Sequence, residues 1–181
     1  MALKATIFKA ELHVADLDRG HFQDHALTLA RHPSETDERM MVRLLAFALN
    51  AHDRLEFGRG LSSEDEPDLC LTDLTGAIRL WVDVGLPDER DLRKACGKSA
   101  QVTVYTYGSN AGTWWRQNVT ALARLDNLAV VNVKQEASRS LAKLAQRSMK
   151  LQCTVQDGHV YLSGDADPVE IAPEVLKAVG A

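Results

Sequence analysis

The sequence predicts an α/β or α+β protein in which helices flank a mixed central β-sheet. Three observations favour this class: several short segments alternate apolar and polar residues, other segments carry apolar residues at helical spacing, and the two kinds succeed each other along the chain. The chain has 181 residues, and a single core can serve a chain of roughly 100 to 200 residues. We therefore expect one domain over residues 1–181.

A β-hairpin and a helix are predicted at the start of the chain. Phe8 and Leu12 belong to an alternating pattern, so residues 6–14 are expected to form a strand. Turn-forming residues follow, and residues 22–31 are expected to return as the second strand. An apolar stripe at helical spacing comes next, and Ser34 is the expected cap of that helix.

Strands and helices alternate in the rest of the chain. The predicted strands are 68–74, 78–84, 102–107, 128–133, 151–155 and 159–162. The predicted helices run from a cap at Asp88 to about Lys98, over 113–125 and over 135–150. The last two strands flank Asp157-Gly158, a typical hairpin turn. Residues 59–66 are expected to form an exposed loop, and the tail from Gly164 an extension with one helical turn.

Composition and charge limit the possible functions. The formal net charge is −4 and the sequence pI is about 5.8, whereas proteins that bind nucleic acid tightly usually carry a clear basic excess. No segment approaches the roughly 18 apolar residues of a membrane span, and the first residues lack the apolar run of a secretory signal. We therefore expect a soluble cytoplasmic protein that does not bind membranes. Its cysteines, Cys70, Cys96 and Cys153, are expected to be reduced core residues.

The six histidines show no spacing typical of a metal site. His21 and His25 are four residues apart, but in a strand this spacing separates residues on the same side by roughly 13 Å. No zinc site is therefore predicted. The sequence also lacks a glycine-rich phosphate loop and a Gly-x-Ser-x-Gly motif, which disfavours nucleotide-dependent enzymes and serine hydrolases.

Two further features are weaker indications of binding. Four basic residues follow one side of the last predicted helix: Arg139, Lys143, Arg147 and, just beyond, Lys150. Such a stripe is typical of a solvated helix face, and it is also compatible with a surface that follows a phosphate backbone. Trp114 and Trp115 could stack on bases or pack in the core.

Three acidic residues are candidates for chemistry. Glu38 lies on the side of the apolar stripe of the first helix, Asp68 begins a strand, and Asp83 lies inside the next apolar strand. A carboxylate in apolar surroundings is unfavourable unless it is bonded. Structural roles are the alternatives: a salt bridge from Glu38 to Arg39 or Arg43, and a turn position for Asp68.

Five short motifs stand out along the chain. They are Ala30-Arg31-His32-Pro33-Ser34-Glu35-Thr36, Glu38-Arg39-Met40-Met41, Asp65-Glu66-Pro67, Gly85-Leu86-Pro87-Asp88-Glu89-Arg90 and Lys94-Ala95-Cys96. With the opening residues 1–6 and the hairpin sequence at residues 156–158, they resemble the YaeQ family of small bacterial proteins. The resemblance covers nearly the whole chain.

The resemblance implies a variant of the PD-(D/E)XK nuclease superfamily, and with it a restriction-endonuclease-like fold. In that superfamily an acid on the first core helix, an Asp at a strand start, an acid in the next strand and a lysine surround a magnesium ion. By position, the implied ligands of Mg²⁺ (or Mn²⁺) are Glu38, Asp68 and Asp83. Carboxylates are suitable ligands because both ions prefer oxygen donors.

The lysine of that pattern has no direct counterpart in this chain. Gly85 stands two residues after Asp83, at the position where the superfamily has lysine. Lys94 is the first substitute because it lies in a motif that resembles the family. Lys98 is the second, and it borders the apolar side of the predicted helix more closely than Lys94 does.

Two functions follow as expectations. The first is a Mg²⁺-dependent nuclease or phosphodiesterase, in which the cation activates a water molecule and offsets the charge that develops on the phosphate oxygens. The second is a non-catalytic module that keeps the nuclease architecture and binds nucleic acid or a transcription-related protein partner.

Overall fold

The structure, a computed structural model, describes residues 4–58 and 65–181. Its elements are, in chain order, β1 (Thr6–Asp16), β2 (His21–Arg31), α1 (Asp37–Leu49), β3 (Leu55–Phe57), β4 (Leu69–Thr72), β5 (Ile78–Val84), α2 (Glu89–Lys98), β6 (Ser99–Tyr107), α3 (Ala111–Leu122), β7 (Leu128–Val133), α4 (Gln135–Ala142), β8 (Ser148–Gln156), β9 (His159–Ser163), β10 (Val169–Ile171) and β11 (Glu174–Lys177). The fold is mixed α+β. The described residues form two mixed sheets where the sequence predicted one.

The chain divides into two compact units. The first unit comprises Met1–Ala51 and Glu136–Pro173, and the second comprises His52–Gln135 and Glu174–Ala181. Each unit contains one of the two sheets.

The first unit is built on a five-stranded sheet with the order β10-β9-β8-β1-β2. β1 and β2 form the predicted antiparallel hairpin, and β8 runs parallel to β1. Alternate residues of these strands are buried, among them Leu12 and Leu151, which confirms the predicted period of two. Helix α1 belongs to the same unit and is buried on every side over residues 40–48, as expected for a helix packed around its whole circumference.

Helix α1 begins later than the sequence predicted. Thr36 caps it, because its hydroxyl accepts a hydrogen bond from the N–H of Arg39 at 3.1 Å. The prediction that Ser34 is the cap was wrong. A turn closed by the bond from Glu35 N to His32 O, 2.8 Å long, occupies this stretch and delays the start of the helix.

The second unit is built on a six-stranded sheet with the order β11-β7-β6-β5-β4-β3. β5, β6 and β7 are parallel, and α2 and α3 connect them in succession. Both helices pack on one face of the sheet. The buried cluster there contains Trp81, Leu92, Ala95, Val102, Val104, Leu122, Leu128 and Val130. The predicted strands 78–84 and 128–133 are confirmed, as is the cap of α2 by Asp88.

The chain after α4 departs from the predicted helix over 135–150. α4 ends at Ala142 and β8 begins at Ser148. β8 alternates buried and exposed residues and pairs with β1, so the sheet ladder overrides the helical spacing. The predicted basic stripe on one helix face was therefore wrong, since Arg139 lies in α4 whereas Lys143 and Arg147 lie beyond the end of that helix.

Two smaller differences concern short segments. The strand β3 was not predicted, and the tail contains β10 and β11 instead of a helical turn. Residues 59–64 of the predicted loop 59–66 lie outside the described residues. No helix in the described part of the chain is both long and apolar enough to span a membrane.

Candidate metal centre

Asp68 is buried at the entrance of β4, where the main chain fixes it on both sides. Its N–H donates to Val82 O and its carbonyl accepts from Gly58 N, both at 2.8 Å. Its Oδ2 accepts a hydrogen bond from the N–H of Val84 at 2.7 Å. β4 starts only one residue later. The carboxylate oxygen therefore takes the place of a strand carbonyl as the acceptor for the N–H of Val84, and it extends the β4–β5 ladder by one hydrogen bond. Asp68 is therefore held in a defined position at the sheet.

Gly58 lets the preceding strand approach Asp68 closely. A Cβ atom at position 58 would collide with the carbonyl oxygen of Pro67. A glycine at this position therefore keeps the bond from Gly58 N to Asp68 O in place.

Asp83 lies next to Asp68, near the end of β5. Leu69 and Val82 are partners in the antiparallel β4–β5 ladder, and Asp68, the residue before Leu69, bonds to Val82 and Val84 on either side of Asp83. Asp83 is half-buried. Two of the acids that the sequence singled out are neighbours in the second unit.

A row of polar side chains continues along the carboxyl ends of the parallel strands. Thr106 in β6 donates its hydroxyl proton to Asn132 Oδ1 in β7 at 2.8 Å, and Asn132 Nδ2 donates to Glu174 Oε2 in β11 at 3.2 Å. The carboxyl end of β5, which carries Asp83, lies at the same edge of the sheet. Sequence reasoning missed this row. The sequence signal for this row was a polar residue near the end of two apolar strands, Thr106 in β6 and Asn132 in β7.

Glu38 lies in the first turn of α1, in the first unit. Its Oε1 accepts a hydrogen bond from the hydroxyl of Ser138, a buried residue of α4, at 2.6 Å. Arg39 and Arg43, the salt-bridge partners considered from the sequence, both donate to Glu35. The sequence did not indicate Ser138, which lies far away along the chain.

Both candidate lysines are exposed. Lys94 and Lys98 lie on the solvent side of α2, whereas Leu92 and Ala95 of the same helix are buried in the core. An exposed ammonium group is well hydrated and flexible. The assignment of the site lysine to Lys94 stays a prediction.

Comparison with known proteins shows the family to which the chain belongs. The family model described as "YaeQ protein" matches residues 1–173. The chain belongs to the YaeQ family. It is 49% identical to the YaeQ protein of Escherichia coli (strain K12) and 50% identical to that of Salmonella typhi, in each case over 172 residues, 94% of this chain and 95% of the relative.

Solved YaeQ structures have the same fold. The crystal structure of YaeQ from Xanthomonas axonopodis pv. citri matches with a TM-score of 0.93 and 51% identity, over 96% of this chain and 99% of that one. The crystal structure of YaeQ from Pseudomonas syringae matches with a TM-score of 0.92 and 36% identity, over 98% of each chain. The family membership indicated by the sequence motifs is thus confirmed.

The donor atoms available in this member of the YaeQ family favour oxygen over thiolate sulfur. The three cysteines are free thiols, and Cys153 is buried whereas Cys70 and Cys96 are half-buried. Burial raises the pKa of the Cys96 thiol to about 11 and that of the Cys153 thiol to about 12. Burial, and then the charge of Glu56, also raise the pKa of Cys70. Thiols of this kind stay protonated at neutral pH and are poor nucleophiles and ligands.

The two histidines of β2 lie closer together than the sequence analysis predicted. The Nε2 atoms of His21 and His25 are 3.1 Å apart. The prediction that their spacing keeps them too far apart for one metal was wrong, because it used main-chain spacing and the two side chains incline toward each other. Among residues 4–58 and 65–181, no three His, Cys, Asp or Glu side chains form a group that could hold a metal ion.

Proposed function

We propose that this member of the YaeQ family is a cytoplasmic, Mg²⁺-dependent phosphodiesterase or nuclease with a variant PD-(D/E)XK site on a restriction-endonuclease-like fold. The observation that supports the proposal is the placement of Asp68 beside Asp83, through the bonds from Asp68 N to Val82 O and from Val84 N to Asp68 Oδ2. Asp68, at the entrance of β4, and Asp83, in β5, are the proposed oxygen donors.

The ligand chemistry of this pair suits a hard cation. Mg²⁺ is commonly held by one or two carboxylates while it keeps several waters and binds substrate phosphates, so two acids are enough to anchor it. Mn²⁺ accepts the same oxygen donors. Asp68 and Asp83 are therefore the proposed protein ligands of the second unit.

The residues have distinct proposed roles. The bond to Val84 N orients the Asp68 carboxylate before any ligand arrives, and such preorganisation lowers the cost of binding. A bound Mg²⁺ would supply an activated water and offset the charge on phosphate oxygens. Glu38 as a further ligand and Lys94 as the group that stabilises developing charge stay predictions.

Calorimetric titration with Mg²⁺ and Mn²⁺ tests the metal role. We expect saturable binding to the unsubstituted protein and an affinity reduced about tenfold or more in Asp68→Asn and Asp83→Asn, because ligand charge sets the affinity of such sites. Asparagine keeps an oxygen that accepts from Val84 N, so the thermal midpoint of Asp68→Asn should change little. Asp68→Ala should in addition lose about 1 to 3 kcal/mol of stability.

The exposed acid Asp126 provides the matched control, since Asp126→Asn removes one charge from the same unit away from the pair. Equal affinity in all variants, or no binding to the unsubstituted protein, would contradict the metal role. A cleavage screen on single-stranded, duplex and branched DNA and RNA then tests turnover. Cleavage should require the metal and be lost in Asp68→Asn and Asp83→Asn.

A second candidate function is non-catalytic binding of nucleic acid or of a transcription-related protein partner. Two observations favour it: Gly85 stands where the superfamily has lysine, and Lys94 and Lys98 are both exposed on α2. Metal-independent binding of nucleic acid without cleavage, unchanged in Asp83→Asn, would support this function over the first.

A further inference from the structure

The end of the β1–β2 hairpin carries two imidazoles whose nitrogens face each other. His21 Nε2 and His25 Nε2 are 3.1 Å apart. The rings are almost parallel, with an interplanar angle of 15° and centroids 5.3 Å apart. This centroid separation is close to the distance between the nitrogens plus the radius of each ring, so the two Nε2 atoms point toward each other. In the absence of another ligand, one ring must donate a proton and the other must accept it.

The same spacing suits two ligands of one metal ion. An ion about 2.0 to 2.1 Å from each nitrogen, with an angle of roughly 90 to 110° between the ligands, separates the two nitrogens by about 2.8 to 3.4 Å. The observed 3.1 Å falls within this interval. Replacing the shared proton by an ion requires the His21 ring, the more exposed of the two, to move so that both nitrogen lone pairs point at the ion.

The surroundings fix one ring and expose the other. His25 is buried, and its ring packs edge-on against Phe47 of α1 with centroids 5.2 Å apart. His21 is half-buried at the end of the strand, which gives a solvated ion a route to the pair. A rigid ligand on the core side and an accessible one on the solvent side are typical of preorganised metal sites.

A buried carboxylate lies across the hairpin from His21. Asp16 is the cross-strand partner of His21 and is 1% exposed. Its Oδ1 accepts from Arg19 N at 2.9 Å, and its Oδ2 forms an ion pair with Arg19 Nη1 at 3.5 Å. A carboxylate across the hairpin from an imidazole ligand favours a cation there, because it offsets part of the charge of the ion.

The geometry points to a binding site for a divalent transition-metal ion at His21 and His25, with Asp16 offsetting its charge. Imidazole nitrogen suits Zn²⁺, Ni²⁺ and Cu²⁺ and does not suit Mg²⁺. This site lies in the first unit, uses a different type of donor from the carboxylate pair, and is independent of the proposed phosphodiesterase activity.

Titration of the metal-free protein with Zn²⁺ in excess Mg²⁺ tests the proposal. We expect one Zn²⁺ per chain, and an affinity reduced about tenfold or more in His21→Gln. The matched control is His13→Gln, because His13 lies on the same hairpin but on its exposed face; its affinity should be unchanged. Zn²⁺ should also raise the thermal midpoint of the unsubstituted protein but not that of His21→Gln.

A spectroscopic measurement tests both ligands without a substitution at His25, which is buried. With Cu²⁺ as the probe, electron paramagnetic resonance should show coupling to two imidazole nitrogens, and His21→Gln should reduce this to one. Because His21 is half-buried, its replacement should leave the fold intact, which far-ultraviolet circular dichroism checks. Absence of saturable Zn²⁺ binding, wild-type affinity in His21→Gln, or loss of binding in His13→Gln would each overturn the proposal.

Discussion

Two buried carboxylates, one in each unit, are held by different kinds of donor. The side chain of Glu35 is 3% exposed and accepts two bonds from the guanidinium of Arg43, at 2.7 and 2.9 Å. Asp68 is also 3% exposed, and its Oδ2 accepts from the main-chain N–H of Val84. The Glu35 site thus depends on the charge of a partner side chain, whereas the Asp68 site depends on the course of the backbone. The two sites should therefore fail under different substitutions.

The largest effect is expected from removing the arginine. Arg43→Met leaves the Glu35 carboxylate without its bidentate partner, and Arg43 itself is only 1% exposed. Breaking a buried ion pair in this way typically lowers the free energy of unfolding by about 3 to 5 kcal/mol. Urea denaturation followed by circular dichroism measures the change.

The matched controls separate charge from packing. Arg39→Met should lose less, since Arg39 is 17% exposed and its bond to Glu35 is longer, 3.3 Å. The double variant Glu35→Met/Arg43→Met should be more stable than Arg43→Met alone, because no unpaired charge is left buried. A loss below about 1 kcal/mol in Arg43→Met would show that the pair matters little for stability.

The different donors also explain what the sequence could predict. The strands β5 and β7 and the cap of α2 were predicted because alternation and an Asp cap are local signals. The partners of Asp68 and Glu38 were not predicted, since Val84 N and the Ser138 hydroxyl are brought into place by strand register and tertiary packing. Local periodicity contains no information about strand register or tertiary packing.

The same limit explains the errors. Residues 148–150 carry a pattern compatible with a helix, but pairing of β8 with β1 makes them a strand. The predicted distance between His21 and His25 was also wrong: it came from main-chain spacing alone, whereas their side chains meet. Fold class and most elements could thus be predicted, whereas the contacts that assemble each candidate site could not.

A medium effect is expected at the backbone that positions Asp68. Gly58→Ala forces a Cβ against the carbonyl oxygen of Pro67, and main-chain atoms yield only by moving the segment that carries Asp68. We expect a loss of about 1 to 3 kcal/mol, as for other overpacked sites, together with weaker Mg²⁺ binding. Thermal denaturation and calorimetry measure the two changes.

Gly97→Ala is the matched control for that substitution. Gly97 lies in α2, and a Cβ atom added there would meet nothing within 4 Å. Alanine favours a helix over glycine by about 0.5 to 1 kcal/mol, so this variant should be as stable as the unsubstituted protein or more so. Equal stability of Gly58→Ala and Gly97→Ala would contradict the requirement for glycine at position 58.

The smallest effect concerns an exposed turn and extends the comparison to a carboxylate held mainly by a hydroxyl. Asp73 Oδ1 accepts from Thr75 Oγ1 at 2.5 Å and from the N–H groups of Thr75 and Ala77 at 2.8 and 3.1 Å. The Thr75 hydroxyl is the main cause that lowers the pKa of Asp73 from 3.8 to about 2, with smaller contributions from those N–H groups and Arg79. Because the pKa is lower in the folded protein, this stabilisation is present above pH 3.8 and is lost as the pH falls toward 2.

Thr75→Val should raise the pKa of Asp73 toward its ordinary value in a nuclear magnetic resonance titration, whereas Thr120→Val, at an exposed position of α3, should leave it unchanged. An unshifted pKa in Thr75→Val would mean that the backbone donors and Arg79 hold this carboxylate without the hydroxyl.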